Sequence, residues 1–335
     1  MIFVVDRKDS ILRYQSGSIR VELDNHLVQR VPISQLALVV VYGNPLAETA
    51  VWRNLAAAQV PSVMLNSRGK SQVAMLGSGL ATQLPLRINQ HQLAGSHRSK
   101  LQMARWFVDK KIAAYEIPLS ILCKQYQVDG DAFINLSKTT QNKLLQAENN
   151  ASLMGLEGQH AHAWFQLLAD SLPRRWRFDG RNRRPPQDPV NALLSLSYTL
   201  MMSEARQCLI SFGFDPSLGF LHQQVAGREA LVLDFAELFR AAVDYFVLQC
   251  LADKILTPEH FFYRQQTGCQ LSKEARGIYY KAWAIFRNNW PVTSHKQGSE
   301  KTRLRELMTR ELMQLREFMH SGINTDERHA IFPEA

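Results

Sequence analysis

The chain has 335 residues, 46% of them hydrophobic and 21% charged, with a formal net charge of +9 and a sequence pI of about 9.5. That length exceeds the usual single domain, so two cores are expected, and the hydrophobic share excludes a disordered chain. The positive balance points to phosphate-rich partners.

Four cysteines, Cys123, Cys208, Cys250 and Cys269, stand far apart with no CxxC pair. This argues against a zinc knuckle or a disulfide framework and fits a reducing cytoplasm. The opening MIFVVDRKD reads as a short strand broken by charge rather than an export signal. No apolar run approaches the ~18 residues of a membrane span, so a soluble cytoplasmic protein without membrane association is expected.

The N-terminal part predicts short strands: IFVVD, ILRYQ, SIRVEL, HLVQRV and LALVVVY, then SVMLN and QVAMLG after one helix over roughly Leu46 to Ala58. Beyond Leu84 the spacing turns helical and stays so almost to the end of the chain. The expected fold class is α+β, with a small N-terminal β-rich domain over 1–84 and a linker over 85–95. A larger all-α catalytic domain over 96–322 follows, then a flexible polar tail over 323–335.

In LMGLEGQHAH (153–162), Glu157 falls on a predicted helix whose same face carries Leu153, His160, Ala161, Trp164 and Leu168. A carboxylate in an apolar stripe is costly to bury without a partner. A metal, an arginine or a raised pKa each solves that problem, and ion pairing is the commoner solution. His160 and His162 are two apart on a helix and point in different directions, which makes them a poor bidentate metal pair.

The segment PRRWRFDGRNRRPP (173–186) holds Arg174, Arg175, Arg177, Arg181, Arg183 and Arg184 against one acid, Asp179, with Trp176 and Phe178 interleaved. Guanidinium forks match phosphate oxygens and aromatic rings stack on bases, so these arginines are read as DNA-binding. The alternative is a solvated loop in which some of them pair with Asp179 or Asp188. Asp188 then reads as the N-cap, and Pro189 as the first residue, of a core helix reaching Phe212.

GFDPSLGFLHQQVAGREALVLDFAELFR (213–240) places His222 at the end of an apolar run, Gly227 at a turn, and ALVLD as a returning strand that enters a helix. Asp234 and Glu237 lie one helical turn apart. Together with Glu157 and His222 they compose a candidate divalent-cation site. D-x-x-E at a strand-to-helix junction is also a capping box, so Asp234 is expected to cap or support and Glu237 to ligate. No Walker loop, GxSxG elbow or GxGxxG fingerprint occurs, which argues against nucleotide hydrolases, serine esterases and dinucleotide oxidoreductases.

LMGLEGQHAHAWF, GRNRRPPQDPVNALLSLSYTLM, GFDPSLGFLHQQVAGREALVLDFAELFR and CQLSKEARGIYYKAW, in this order, resemble successive blocks of the CRISPR-associated integrase of spacer acquisition. VPISQLALVVVYGN and VPSVMLNSRGK resemble that family's β-domain, so the resemblance covers nearly the whole chain. It implies a metal site of Glu157, His222 and Glu237, with Asp234 adjacent. Leu238 stands where the family usually has a second glutamate, and Ala241 where a proline commonly follows the arginine.

The resemblance further implies a metal-dependent DNA endonuclease and integrase that joins the 3′-hydroxyl of a short DNA fragment to a phosphodiester at the edge of a CRISPR repeat. Mg²⁺ or Mn²⁺ would be the cofactor, and a histidine ligand favours Mn²⁺. The implied partners are double-stranded DNA, a second copy of the chain bound through the β-domain, and a small ferredoxin-like adaptation protein. Two rivals are a structure-selective nuclease using water in place of the 3′-hydroxyl, and a non-catalytic DNA-binding scaffold.

Overall fold

The computed structural model describes residues 1–7, 9–24, 26–58, 60–65, 73–76, 84–182, 185–292 and 300–321. The first eight strands are β1 (Ile2–Val5), β2 (Ile11–Gln15), β3 (Ser18–Leu23), β4 (His26–Pro32), β5 (Leu38–Tyr42), β6 (Leu46–Ala47), β7 (Ser62–Leu65) and β8 (Val73–Leu76), with helix α1 (Thr49–Ala57) between β6 and β7. They form two four-stranded sheets, ordered β1-β5-β7-β8 and β4-β3-β2-β6. The uninterrupted apolar run of β5 suits its central place, paired in parallel with β1 and with β7 and buried throughout. Phe3, Val5, Val39 and Val41 share one core with Leu12, Ile19, Val21 and Val31 of the other sheet, completed by Val51 and Leu55 of α1.

The later elements are helices α2 (Leu84–Gly95), α3 (His97–Ala114), α4 (Glu116–Tyr126), α5 (Asp131–Gln146), α6 (Asn150–Ser171), α7 (Pro189–Ser211), α8 (Ala230–Glu237), α9 (Arg240–Ala252), α10 (Lys273–Arg287) and α11 (Leu304–Ser321). Two antiparallel ribbons stand among them, β9 (Phe261–Arg264) with β10 (Gly268–Leu271), and β11 (Trp290–Val292) with β12 (Glu300–Thr302). A β-rich N-terminal region followed by a mostly helical one is thus observed, as the sequence predicts, and the two ribbons are additions to it. The segment 85–95, expected as a linker, is helix α2, with Leu86, Asn89, Gln90 and Leu93 buried at helical spacing. The expected start of the first helix moves from Leu46 to Thr49, because Leu46 and Ala47 pair with Ile11 and Leu12 of β2. The tail over 323–335 lies outside the described residues.

By packing, the chain divides into two compact units, each entered more than once. One comprises Met1–Gly79, Leu168–Gln207 and Phe246–Asn288, the other Leu80–Leu167, Cys208–Tyr245 and Asn289–Ala335. In the first unit, Arg276 of α10 bonds Asp6 at 2.8 Å, the Tyr42 and Tyr280 hydroxyls meet at 2.6 Å, and Arg287 forms a buried ion pair with Glu204 of α7. In the second unit, α3, α5 and α6 pack through Ala104, Val108, Ile112, Leu144 and Leu153, and Leu221 from a loop joins the same core. Arg105 closes the end of α5 by donating to the carbonyls of Leu144 at 2.7 Å and Ala147 at 3.0 Å. All four cysteines are free thiols. Among the described residues no helix is long and apolar enough to cross a membrane.

Candidate functional site

The strand expected over ALVLD does not form: residues 230–237 are helix α8, and the hairpin expected around His222 is a run of turns leading into it. A short apolar run reads equally as strand or helix, and here Leu231, Val232, Phe235 and Ala236 are buried in helical register. Asp234 therefore sits inside α8 and cannot cap it; the N-cap position is Glu229, whose side chain makes no capping bond.

The fully buried Asp234 carboxylate instead organises the loop. Its Oδ2 accepts from the backbone N–H of Phe220 at 2.5 Å and of Leu221 at 2.9 Å, and its Oδ1 from that of His222 at 2.9 Å. The same Oδ1 lies 2.7 Å from Nδ1 of His222. A carboxylate only accepts, so Nδ1 carries the proton and Nε2 is left with the lone pair a metal requires.

Gly219 makes this close approach possible: a Cβ there would fall 2.6 Å from the carbonyl carbon of Ala230 and 2.7 Å from Oδ2 of Asp234. Two amides hold the rest of the loop. Gln90 of α2 donates to the carbonyls of Asp215 at 2.8 Å and Leu218 at 2.7 Å, and Asn150 of α6 donates to the carbonyl of Phe220.

Glu237, at the end of α8, and Glu157, in the middle of α6, converge on one atom, Nζ of Lys111 on α3. Arg240 takes the other face of Glu237, with Nε 2.8 Å from Oε1. Burial alone would push the Glu237 carboxyl up, but the charge of Arg240 and the charge and hydrogen bond of Lys111 outweigh it and hold it down to about 2. Among the described residues no three His, Cys, Asp or Glu side chains stand together as a metal-ligand cluster. The donor chemistry nevertheless fits a divalent cation: two carboxylates already share one positive charge, and the His222 imidazole, anchored to Asp234 through Nδ1, offers a nitrogen donor.

The structure thus brings Glu157 to Glu237 through Lys111, and His222 to Asp234. Lys111 and Arg240 escape the sequence reading. Lys111 carries the signal that exposes Glu157, a charge among the buried Ala104, Phe107, Val108 and Ile112 on one face of α3. His160, by contrast, is structural. Its ring lies 4.8 Å from that of Phe133 and 5.2 Å from that of Tyr115, with Nε2 2.9 Å from the Ser137 hydroxyl. Burial, then the charge of Lys111, drives its pKa down to about 4.

The arginine segment lies in the other compact unit. Arg174, Arg175 and Arg177 are exposed. Trp176 and Phe178 are buried and so unavailable for base stacking, contrary to the expectation. Arg181 bonds Oδ1 of Asn191 at 2.7 Å and the Ser195 hydroxyl at 3.2 Å, on the first turns of α7. Asp188 caps that helix as expected, accepting from the N–H of Asn191 at 2.8 Å. Arg183 and Arg184 lie outside the described residues.

A Cas1 protein from Thermotoga maritima superposes with a TM-score of 0.79 at 21% identity, covering 96% of this chain and 97% of that one. A casposase bound to integration product does so with a TM-score of 0.80 at 17% identity, covering 97% and 92%. The fold is accordingly that shared by Cas1 and casposase chains, a β-rich N-terminal region followed by a mostly helical one. A CRISPR-associated endonuclease Cas1 of Thermodesulfovibrio yellowstonii is 33% identical over 281 residues, covering 82% of this chain and 88% of its own length. The family model described as CRISPR associated protein Cas1 matches residues 3–284. The chain belongs to the Cas1 family of CRISPR-associated nucleases.

Proposed function

We propose that this protein is a metal-dependent DNA endonuclease and integrase that inserts short foreign DNA fragments into a CRISPR array, by attack of a fragment's 3′-hydroxyl on a phosphodiester at the repeat. The observation that carries this reading is the convergence of Glu157 and Glu237 on one positive charge; the hydrogen bond from His222 Nδ1 to Asp234 supports it by fixing the imidazole tautomer. Glu157 and Glu237 would hold Mg²⁺ or Mn²⁺ through carboxylate oxygens, and His222 through Nε2. When bound, such a cation supplies Lewis-acid polarisation of the phosphodiester and stabilises charge on the entering or leaving oxygen.

The remaining residues position and exclude. Asp234 keeps the His222 ring in the ligating tautomer, and Arg240 keeps Glu237 ionised and oriented. Arg174, Arg175 and Arg177 are exposed cations suited to DNA phosphates. Double-stranded DNA, a second copy of the chain and a small ferredoxin-like adaptation protein are the partners that membership of the family supports. The repeat-edge reaction is tested by a strand-transfer assay on Glu157→Ala and His222→Ala. Loss of joined product in both variants is expected, and unchanged activity in both overturns the metal site. Hydrolysis without joined product from the unaltered protein favours a branched-DNA nuclease, and DNA binding with no reaction a scaffold.

A further inference from the structure

Lys111 occupies an unusual position for a lysine. Its side chain is 5% exposed, on a face of α3 otherwise lined by Ala104, Phe107, Val108 and Ile112. An ammonium is stable there only because two carboxylates from two other helices face it. Those are the same two acids that a divalent cation needs.

The partners of Glu237 are divided between its oxygens. Lys111 takes Oε2 and Arg240 takes Oε1, so removal of the ammonium leaves Glu237 still held by the guanidinium. Glu157 has no second cation among its ion pairs in the described residues. Metal–oxygen bonds are shorter than ammonium–oxygen hydrogen bonds, about 2.1 Å against about 2.8 Å. A metal bridging the two carboxylates would therefore lie within the space Nζ fills, and two cations in one low-dielectric space repel strongly.

We infer that Lys111 is a built-in counter-ion of the metal site: it holds Glu157 and Glu237 converged before metal arrives, and divalent-cation loading is an exchange in which its ammonium leaves the space between them. This rests on the metal-site reading above. Nothing is covalently made or broken; one cation replaces another on two carboxylates. The exchange lowers the apparent metal affinity of the native protein, because the incoming ion must displace a charge already in place. It also prevents the two acids from being driven apart while the site awaits its metal.

The test measures Mn²⁺ affinity of the full chain by titration calorimetry and by electron paramagnetic resonance of free Mn²⁺. The native protein, Lys111→Met, Lys111→Arg and Glu157→Gln are compared. Lys111→Met removes the charge while keeping an unbranched side chain one atom shorter, and is expected to bind Mn²⁺ at least about ten-fold tighter, whereas Lys111→Arg stays within about three-fold of the native protein. A second measurement needs no variant to fold without metal: the ¹⁵N side-chain ammonium resonance of Lys111 in the native protein, followed through a Mg²⁺ titration. It is expected to move with the midpoint of metal binding. Binding that Glu157→Gln abolishes, with no gain in Lys111→Met or with an unmoved Lys111 resonance at saturation, overturns the exchange alone. Absence of Mn²⁺ binding by the native protein overturns both the exchange and the metal site.

Discussion

Replacing Asp234 by asparagine separates a supporting carboxylate from a metal ligand. The side chain keeps its shape but has one acceptor oxygen and an NH₂ donor in place of two acceptor oxygens. The amide oxygen can keep the N–H groups of Phe220 and Leu221, which both use Oδ2. The N–H of His222 then faces a donor and is left without an acceptor, at about 1–3 kcal/mol, while the retained bonds are no longer charge-assisted. A total on the order of 4 kcal/mol is expected in urea denaturation with chelator present. At Nδ1 the amide donates where the carboxylate accepted, so the imidazole proton moves to Nε2 and the lone pair for metal disappears. Mn²⁺ affinity should fall about 10–100-fold, as for other groups that orient a ligating histidine. A folded Asp234→Asn protein that binds Mn²⁺ within about two-fold of the native one would refute the role of Asp234 in setting the His222 tautomer.

Gly219→Ala would push a methyl group into Ala230 and Asp234, and should cost about 2–3 kcal/mol by overpacking; thermal denaturation checks it, and an unchanged melting temperature contradicts the close approach. His160 has a folded pKa of about 4 against an ordinary 6.5. The unfolded chain therefore takes up a proton first as pH falls, and stability drops by about 3 kcal/mol between pH 6.5 and pH 4. His160→Gln should flatten this part of the pH profile, and equal slopes in both proteins would remove the attribution. Joint replacement of Arg174, Arg175 and Arg177 by alanine should make the salt dependence of DNA binding shallower, by roughly 0.9 in log–log slope for each phosphate that is no longer neutralised. Arg181→Ala should instead lower stability, because its guanidinium is bonded to Asn191 and Ser195.

The elements legible in the sequence are those whose signal is local. Short β-branched and apolar runs bounded by charged or turn residues locate β1 to β5, and Asp188 with Pro189 marks the start of α7, because capping and strand propensity act within a few residues. The run ALVLD reads as a strand and folds as a helix because its apolar residues satisfy both periods until packing selects one. Residues 85–95 are divided off as a linker between domains, yet the helical spacing read from Leu84 onward is the one that α2 follows. Trp176 and Phe178 look ready to stack on bases, and only the fold shows both buried.

At the site, sequence alone singles out the residues whose burial would be costly. Glu157 stands out as a charge in an apolar stripe, and the order of the motifs supplies His222, Asp234 and Glu237. Lys111 bears the same mark on α3, yet nothing in its spacing points to two acids distant along the chain. The compensation of a buried charge is a through-space interaction, fixed only when α3, α6 and α8 pack and bring Nζ to both carboxylates. Which groups need a partner is set by residue type and helical face, and is legible along the chain; which partner each receives is set by packing, because Coulomb attraction depends on distance in space and not along the chain.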